Sequence, residues 1–198
     1  MSRAKNVWVP AVVTVAAVGA AAGAVAASRR REDVQGFFVR QTLERPAASR
    51  SHAELRQALE RSGPQLTARV TRAGDSDHNR RVLRHIIGIE RWGTSRLEHL
   101  ISGSPLLELD SHRSYLPEED SSWDALLQAF STTRARTIDA ARRLEQRPPA
   151  PGTTLPHNGL GDLSEKGWLR YLTLHADLES RKVRGRHEPP ALGEAQPA

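Results

Sequence analysis

The chain has 198 residues, contains no cysteine and carries a formal net charge of +6 at pH 7. This length suits one domain with appendages, and the lack of cysteine excludes disulfides, thiolate metal sites and cysteine nucleophiles. The positive charge is spread along the chain and aromatic residues make up only 5% of it, so nucleic-acid binding is not expected. Any metal ion must be held by imidazole and oxygen ligands.

An uncharged run rich in alanine and valine extends from Val7 to Ala27, with basic residues on both sides. About 20 apolar residues are needed for a helix that crosses the hydrocarbon core of a bilayer. The run therefore predicts a single-pass membrane anchor within residues 1–31 that contacts the lipid bilayer through residues 7–27. The arginines at 29–31 favour a cytoplasmic position for the rest of the chain. A cleaved signal peptide and an amphipathic or disordered leader are the alternatives.

Gly19 and Gly23 stand four residues apart within this run. Such spacing lets two membrane helices pack closely and would support a homodimer. An alanine-rich run also produces this spacing by chance, so the pattern does not decide the oligomeric state.

After the predicted anchor, the composition divides the chain into three parts. Residues 32–50 are polar and indicate a tether, residues 51–184 form the globular region, and the Pro-rich residues 185–198 are expected to be disordered.

Four helical stretches are predicted in the globular region, near residues 51–73, 76–102, 121–147 and 163–184. Apolar residues recur in them at spacings of three and four. Ser121 and Ser122 precede the third as N-caps, and Asp162 and Glu165 at the start of the fourth have the spacing of a capping box. Gly103 and the prolines from Pro148 mark helix ends. No segment shows the alternation of a convincing strand. We therefore predict an all-α fold, a four-helix bundle.

Two histidines fall on the apolar faces of the second and fourth helical stretches. His85 shares its face with Ile89, and His175 shares its face with Glu179. A buried polar group without a partner costs on the order of 1–3 kcal/mol, and more when it is charged. A metal ion is one such partner. Hydrogen bonds between the two histidines, to a backbone carbonyl or to a carboxylate such as Asp77 are the alternative.

Three segments of the chain resemble the DinB/YfiT-like superfamily of four-helix metalloenzymes. They are His85 to Gly93 followed by Arg96-Leu97, Ser122 to Leu127 followed by Arg134, and His157 to Ser164 leading through Trp168-Leu169 to His175. The resemblance covers about two thirds of the chain, roughly from Ser51 to Val183.

The resemblance implies a divalent metal held by side chains of the second and fourth helices. In the superfamily three histidines commonly bind it; here the positions are His85, His175 and Glu179, so the third departs from the pattern. Two imidazoles and one carboxylate suit zinc, nickel, iron or manganese. By resemblance, the metal would activate water or a low-molecular-weight thiol towards a small-molecule substrate, as in a hydrolase or a thiol S-transferase.

The departure at Glu179 leaves two functional classes open. If this residue is only a partly exposed one near the helix end, the site is degenerate and the chain is a noncatalytic, membrane-tethered binding or stress-related protein. A carboxylate on an apolar face without a cation would be costly, which favours a working site.

Other candidate residues depend on less specific signals. His157, in the loop before the fourth helix, is a candidate general acid or base at the mouth of the bundle, although loop histidines are usually solvated. By analogy to the superfamily, Tyr115 and Arg134 are candidates for lining a substrate opening. Glu90 lies off the histidine-bearing face and is expected to be a surface partner of an arginine. His112 has no convincing partner in the sequence.

Overall fold

The computed structural model describes residues 34–103 and 111–185. The described part is mainly helical, as predicted. Its four long helices are α1 (His52–Ala73), α2 (Asp77–Ser102), α3 (Trp123–Gln146) and α4 (Glu165–Ser180). Each begins within two residues of its predicted start, and α4 ends four residues before its predicted end.

Serine caps explain why these helices begin where they do. The side chains of Ser51, Ser76, Ser122 and Ser164 each accept a hydrogen bond from the backbone N–H three residues further on. Such a cap stabilises a helix by about 1 kcal/mol. At the other end of α2, Gly103 has a φ of +70°, a left-handed conformation that glycine adopts without strain.

The segment predicted as a polar tether is helical instead. It comprises helical residues 35–39, a π-helical turn (Arg40–Glu44) and an α-helical turn (Arg45–Ala48). Val39 and Leu43, four residues apart, are buried on one face. The carboxylate of Glu44 accepts hydrogen bonds from the backbone N–H of Ser164 at 3.1 Å and from its hydroxyl at 2.7 Å. Phe37 and Phe38 remain exposed, so the segment packs on the bundle through one face only.

A short antiparallel hairpin precedes α4 and was not predicted. Its strands are β1 (Thr154–His157) and β2 (Gly161–Ser164). Leu155 and Leu163 are paired across the ladder and both are buried. Four residues per strand are too few to give a recognisable alternation in sequence. The hairpin carries His157 into the structure rather than leaving it in an open loop.

The helices α2 and α4 pack against each other and approach closely at Gly93. A Cβ atom at this position would lie 2.6 Å from Cδ2 of Leu172, so a larger residue would displace this buried side chain. Trp92 and Trp168 pack in the apolar core on the same side of the bundle, with ring centres 5.2 Å apart. This close packing fixes the relative position of the two helices that carry His85 and His175.

No helix within residues 34–103 and 111–185 has the length and apolar character needed to cross a membrane. The predicted anchor at residues 7–27 and the predicted tail beyond residue 185 lie outside the described residues.

Candidate metal centre

His85, His175 and Glu179 come together between α2 and α4. Each offers one ligand atom, and these atoms all lie within 4.8 Å of one another. His175 and Glu179 are four residues apart on α4 and therefore share a helix face. His85 reaches them from α2, with its ring centre 5.1 Å from that of His175. The three residues that the sequence singles out thus lie at one point of the bundle.

Burial keeps the two imidazoles in their neutral form. His175 is only 9% exposed, and burial, followed by the nearby His85, lowers its pKa well below the ordinary value. His85 is half-buried, and burial lowers its pKa although the charge of Glu179 acts in the opposite direction. Neutral imidazole is the form that binds a metal ion, so neither ring has to lose a proton first at neutral pH.

The hydrogen-bonding alternative for these histidines is not found. Within the described residues neither imidazole makes a hydrogen bond, and the Nε2 atom of His175 is buried without a partner. Asp77, which the sequence offered as a partner, is exposed at the start of α2. A buried polar atom without a partner costs about 1–3 kcal/mol, which a bound cation would offset.

Glu179 has a protein cation, contrary to the expectation from sequence. Nζ of Lys182 donates a hydrogen bond to Oε1 of Glu179 at 2.6 Å. The lysine side chain is 49% exposed whereas that of Glu179 is 14% exposed, so the pair lies at the rim of the site. The charge of Lys182 also helps to lower the pKa of both histidines. Lys182 therefore competes with a metal ion for this carboxylate.

A third imidazole, that of His112, lies beside His85. Their ring centres are 5.2 Å apart and the ring planes are nearly perpendicular. His112 begins the 3₁₀ turn His112–Tyr115, which follows α2 in the chain and packs back on it. The sequence offered one signal for this contact: Gly88 lies three residues after His85, on the same face. A Cβ atom at Gly88 would lie 3.1 Å from the carbonyl oxygen of His112.

His157 is buried at the end of β1 instead of being solvated in a loop. Its ring centre lies 5.0 Å from Trp92, 5.2 Å from Trp168 and 4.7 Å from Tyr171. Burial lowers the pKa of His157 to about 4. Its Nδ1 accepts a hydrogen bond from the backbone N–H of Gly159 at 3.1 Å. His157 is therefore neutral at pH 7 and lies outside the three-residue cluster; its catalytic role stays a prediction.

A second buried polar cluster lies between α2 and α3. Glu90, expected at the surface, is 1% exposed and forms an ion pair of 2.9 Å with Arg134. Thr137 donates a hydrogen bond to Oε1 of Glu90 at 2.9 Å, and the hydroxyls of Thr94 and Thr137 are 2.8 Å apart. Arg134, a candidate for the substrate opening, is thus part of a core ion pair.

Tyr115, the other candidate for the substrate opening, lines a groove of about 750 Å³ between α2 and α3. Arg91 and Arg136 also line this groove. Tyr115 ends the same 3₁₀ turn that His112 begins, so one turn contributes to both the groove and the histidine cluster.

The chain matches no protein-family model, no curated protein and no solved structure. Membership of the DinB/YfiT-like superfamily therefore stays a prediction from three sequence segments.

Proposed function

We propose that the bundle binds a divalent transition-metal ion through His85, His175 and Glu179 and acts as a metal-dependent hydrolase or thiol S-transferase. The observation that carries the proposal is the convergence of three suitable ligand atoms within 4.8 Å. Two imidazole nitrogens and one carboxylate oxygen suit zinc, nickel, iron or manganese. Three protein ligands leave room for water, a thiol or a substrate.

The spacing of the two rings fits a shared metal ion. Two imidazoles bound to one tetrahedral ion at about 2.1 Å have ring centres roughly 5 Å apart. The corresponding distance between His85 and His175 is 5.1 Å. The binding of an ion therefore requires no displacement of α2 relative to α4.

The residues of the site have separate tasks in this proposal. His85 and His175 supply lone pairs, and Glu179 supplies the negative charge that offsets part of the charge of the ion. A bound divalent ion would lower the pKa of a coordinated water or thiol. Lys182 holds one oxygen of Glu179 and its positive charge opposes that of the ion, and its half-exposed side chain can turn towards solvent. Tyr171, which is buried with its ring centre 5.5 Å from that of His175, covers the inner side of the site.

We propose further that residues 7–27 anchor the protein in a membrane with the bundle on the cytoplasmic side. The uncharged length of this run and the arginines at 29–31 support the proposal. Membranes washed with carbonate should retain the full chain and release a truncated chain that begins at residue 32. Recovery of intact full-length protein in the soluble fraction would contradict it.

The ion pair between Lys182 and Glu179 favours a second candidate function. If Lys182 is the permanent cation of this carboxylate, the metal site is degenerate and the bundle is a noncatalytic binding or stress-related protein. The two functions differ in metal uptake by the wild-type chain.

Metal titration of the full-length chain, purified without a histidine tag, distinguishes the two functions. We expect about one equivalent of nickel, zinc or manganese on the wild type, a large loss with Glu179→Ala, and retention with Glu179→His. Glu60→Ala is the matched control, because Glu60 also pairs with a basic residue nearby in the chain, Arg56. Equal, near-zero uptake by the wild type and Glu179→Ala would support the degenerate site instead.

A further inference from the structure

The ring of His112 lies as close to that of His85 as the ring of His175 does. The ring centres of His112 and His85 are 5.2 Å apart, and those of His175 and His85 are 5.1 Å apart. Both distances match the separation of roughly 5 Å between two imidazoles on one tetrahedral ion. His85 therefore has two imidazoles at this distance, that of His175 on α4 and that of His112 on the turn after α2.

The turn that carries His112 is fastened to α2 on both sides. Arg84 donates hydrogen bonds to the carbonyl oxygen of Pro117 at 2.9 and 3.2 Å, and Arg91 donates one to the carbonyl oxygen of Tyr115 at 3.4 Å. Leu116 packs directly over Gly88, where a Cβ atom would lie 2.7 Å from its Cδ2. The structure thus holds the backbone of the turn against the His85 segment of α2.

The imidazole of His112 is half-buried and otherwise unused. Within the described residues it makes no hydrogen bond and no ion pair, and its ring contact is with His85. A half-buried imidazole without a polar partner beside a candidate metal ligand is positioned as a ligand itself.

We propose that His112 is a fourth protein ligand of the metal ion, which makes the donor set three imidazoles and one carboxylate. The proposal rests on the proposed metal site. The ligand atoms within 4.8 Å of one another belong to the other three residues, so His112 joins by rotation of its side chain while its backbone stays in place.

With four protein ligands, the identity of the ion determines whether a coordination position stays free for water or substrate. Four protein ligands complete the shell of a tetrahedral zinc ion and close it to water or substrate. Ions that accept five or six ligands, such as nickel, iron and manganese, keep one or two positions free. A catalytic role therefore requires one of these ions, whereas zinc would fill the site without an exchangeable position.

X-ray absorption spectroscopy of the nickel-loaded, full-length wild type tests the proposal without a variant. We expect scattering from three imidazoles for each nickel ion. A count of two imidazoles would overturn the proposal that His112 is a ligand. A wild type that binds no nickel would overturn the metal site as well. The two failures are therefore distinguishable.

Variants provide the second test, with cobalt(II) absorption and affinity as readouts. His112→Ala should lower the affinity for cobalt by at least about tenfold. Replacing a residue that only hydrogen-bonds to a metal ligand already lowers metal affinity by about this factor. Added imidazole should restore the wild-type spectrum. Gly88→Ala should also weaken binding, because the new Cβ displaces the turn. His52→Ala is the control, since His52 pairs with Glu165 outside the cluster.

A His112→Ala protein with the affinity and cobalt spectrum of the wild type would overturn the proposal and leave the three-residue site intact. Circular dichroism establishes that each variant is folded.

Discussion

The bundle contains two buried polar clusters that differ in how their charge is balanced. Between α2 and α3, Glu90 and Arg134 pair at 2.9 Å, and both side chains are at most 5% exposed. Between α2 and α4, Glu179 meets two neutral imidazoles, and its only ion-pair partner among the described residues is Lys182 at the solvent-exposed rim. The first cluster contains its own counter-charge in the core. In the second cluster the carboxylate and the two imidazoles lie between the helices, whereas the positive charge of Lys182 lies at the solvent-exposed rim.

This difference separates a structural cluster from a binding site. An ion pair that is complete within the protein needs no ligand, and replacing one partner leaves an uncompensated buried charge. In the described part of the chain, both clusters contain a buried nitrogen without a hydrogen-bond partner, Nε of Arg134 in the first and Nε2 of His175 in the second, so the buried counter-charge is what distinguishes them. In the second cluster the carboxylate has neutral imidazoles and no cation of the described residues beside it in the core. Both clusters lie along the same helix, α2, so the surrounding scaffold is not the cause of the difference.

The largest expected effect is on stability at the ion pair. Arg134→Met should lower the free energy of unfolding by about 3–5 kcal/mol, because Glu90 would remain buried without its cation. The double variant with Glu90→Met should recover most of this loss. Urea denaturation of both proteins provides the measurement. If the single variant is as stable as the double one, Arg134 does not offset the energetic cost of burying the Glu90 carboxylate.

A smaller effect is expected from acid on the histidine side of the bundle. The pKa of His157 is about 4 in the folded chain, against 6.5 for an ordinary histidine, so the unfolded chain binds more protons between these values. The stabilising contribution of the neutral ring is complete above pH 6.5 and is lost as the pH falls towards 4. The loss amounts to about 3 kcal/mol.

The comparison of wild type with His157→Gln isolates this contribution. Unfolding free energies of the metal-free proteins, measured in chelator from pH 7 to pH 4.5, should fall more steeply for the wild type. Parallel curves would show that the burial of His157 is not what makes the bundle sensitive to acid.

The smallest effect is expected at the rim. Lys182→Gln removes the cation that competes for Glu179 and that opposes positive charge near both histidines. We expect metal affinity to rise several-fold, in line with the energy of up to about 1 kcal/mol of an exposed ion pair. Arg181→Gln, which removes an exposed ion pair with Asp177 on the same helix, serves as the control. Unchanged affinity in Lys182→Gln would mean that the lysine does not compete with the ion.

The sequence predicted the long helices well because their signals are local. Serine caps, apolar spacing and terminal glycine or proline act within a few residues. His175 and Glu179 could be placed together because residues four apart on a helix share a face. The position of His85 opposite them depended on how α2 and α4 pack, and the resemblance supplied this pairing before the structure showed it.

The features that the sequence missed depend on contacts between distant segments. Glu90 and Arg134 stand 44 residues apart and pair only because α2 packs against α3. The contact between His112 and His85 depends on the course of the chain after α2, which has no periodicity. The hairpin strands were too short to recognise, and the helical segment before α1 packs through only a few residues, such as Val39 and Leu43, on one face.

The helical conformation of the segment before α1 shortens the distance that residues 35–48 span. Its 14 residues from 35 to 48 would span about 46 Å when extended but cover about 21 Å as a helix. Glu44 fastens this helix to the N-cap of α4, in space that stays free because residue 167 is glycine. The segment is therefore a helical spacer rather than an extended, flexible linker. The hydrogen bonds of Glu44 with Ser164 join this segment to the start of α4, the helix that carries His175 and Glu179.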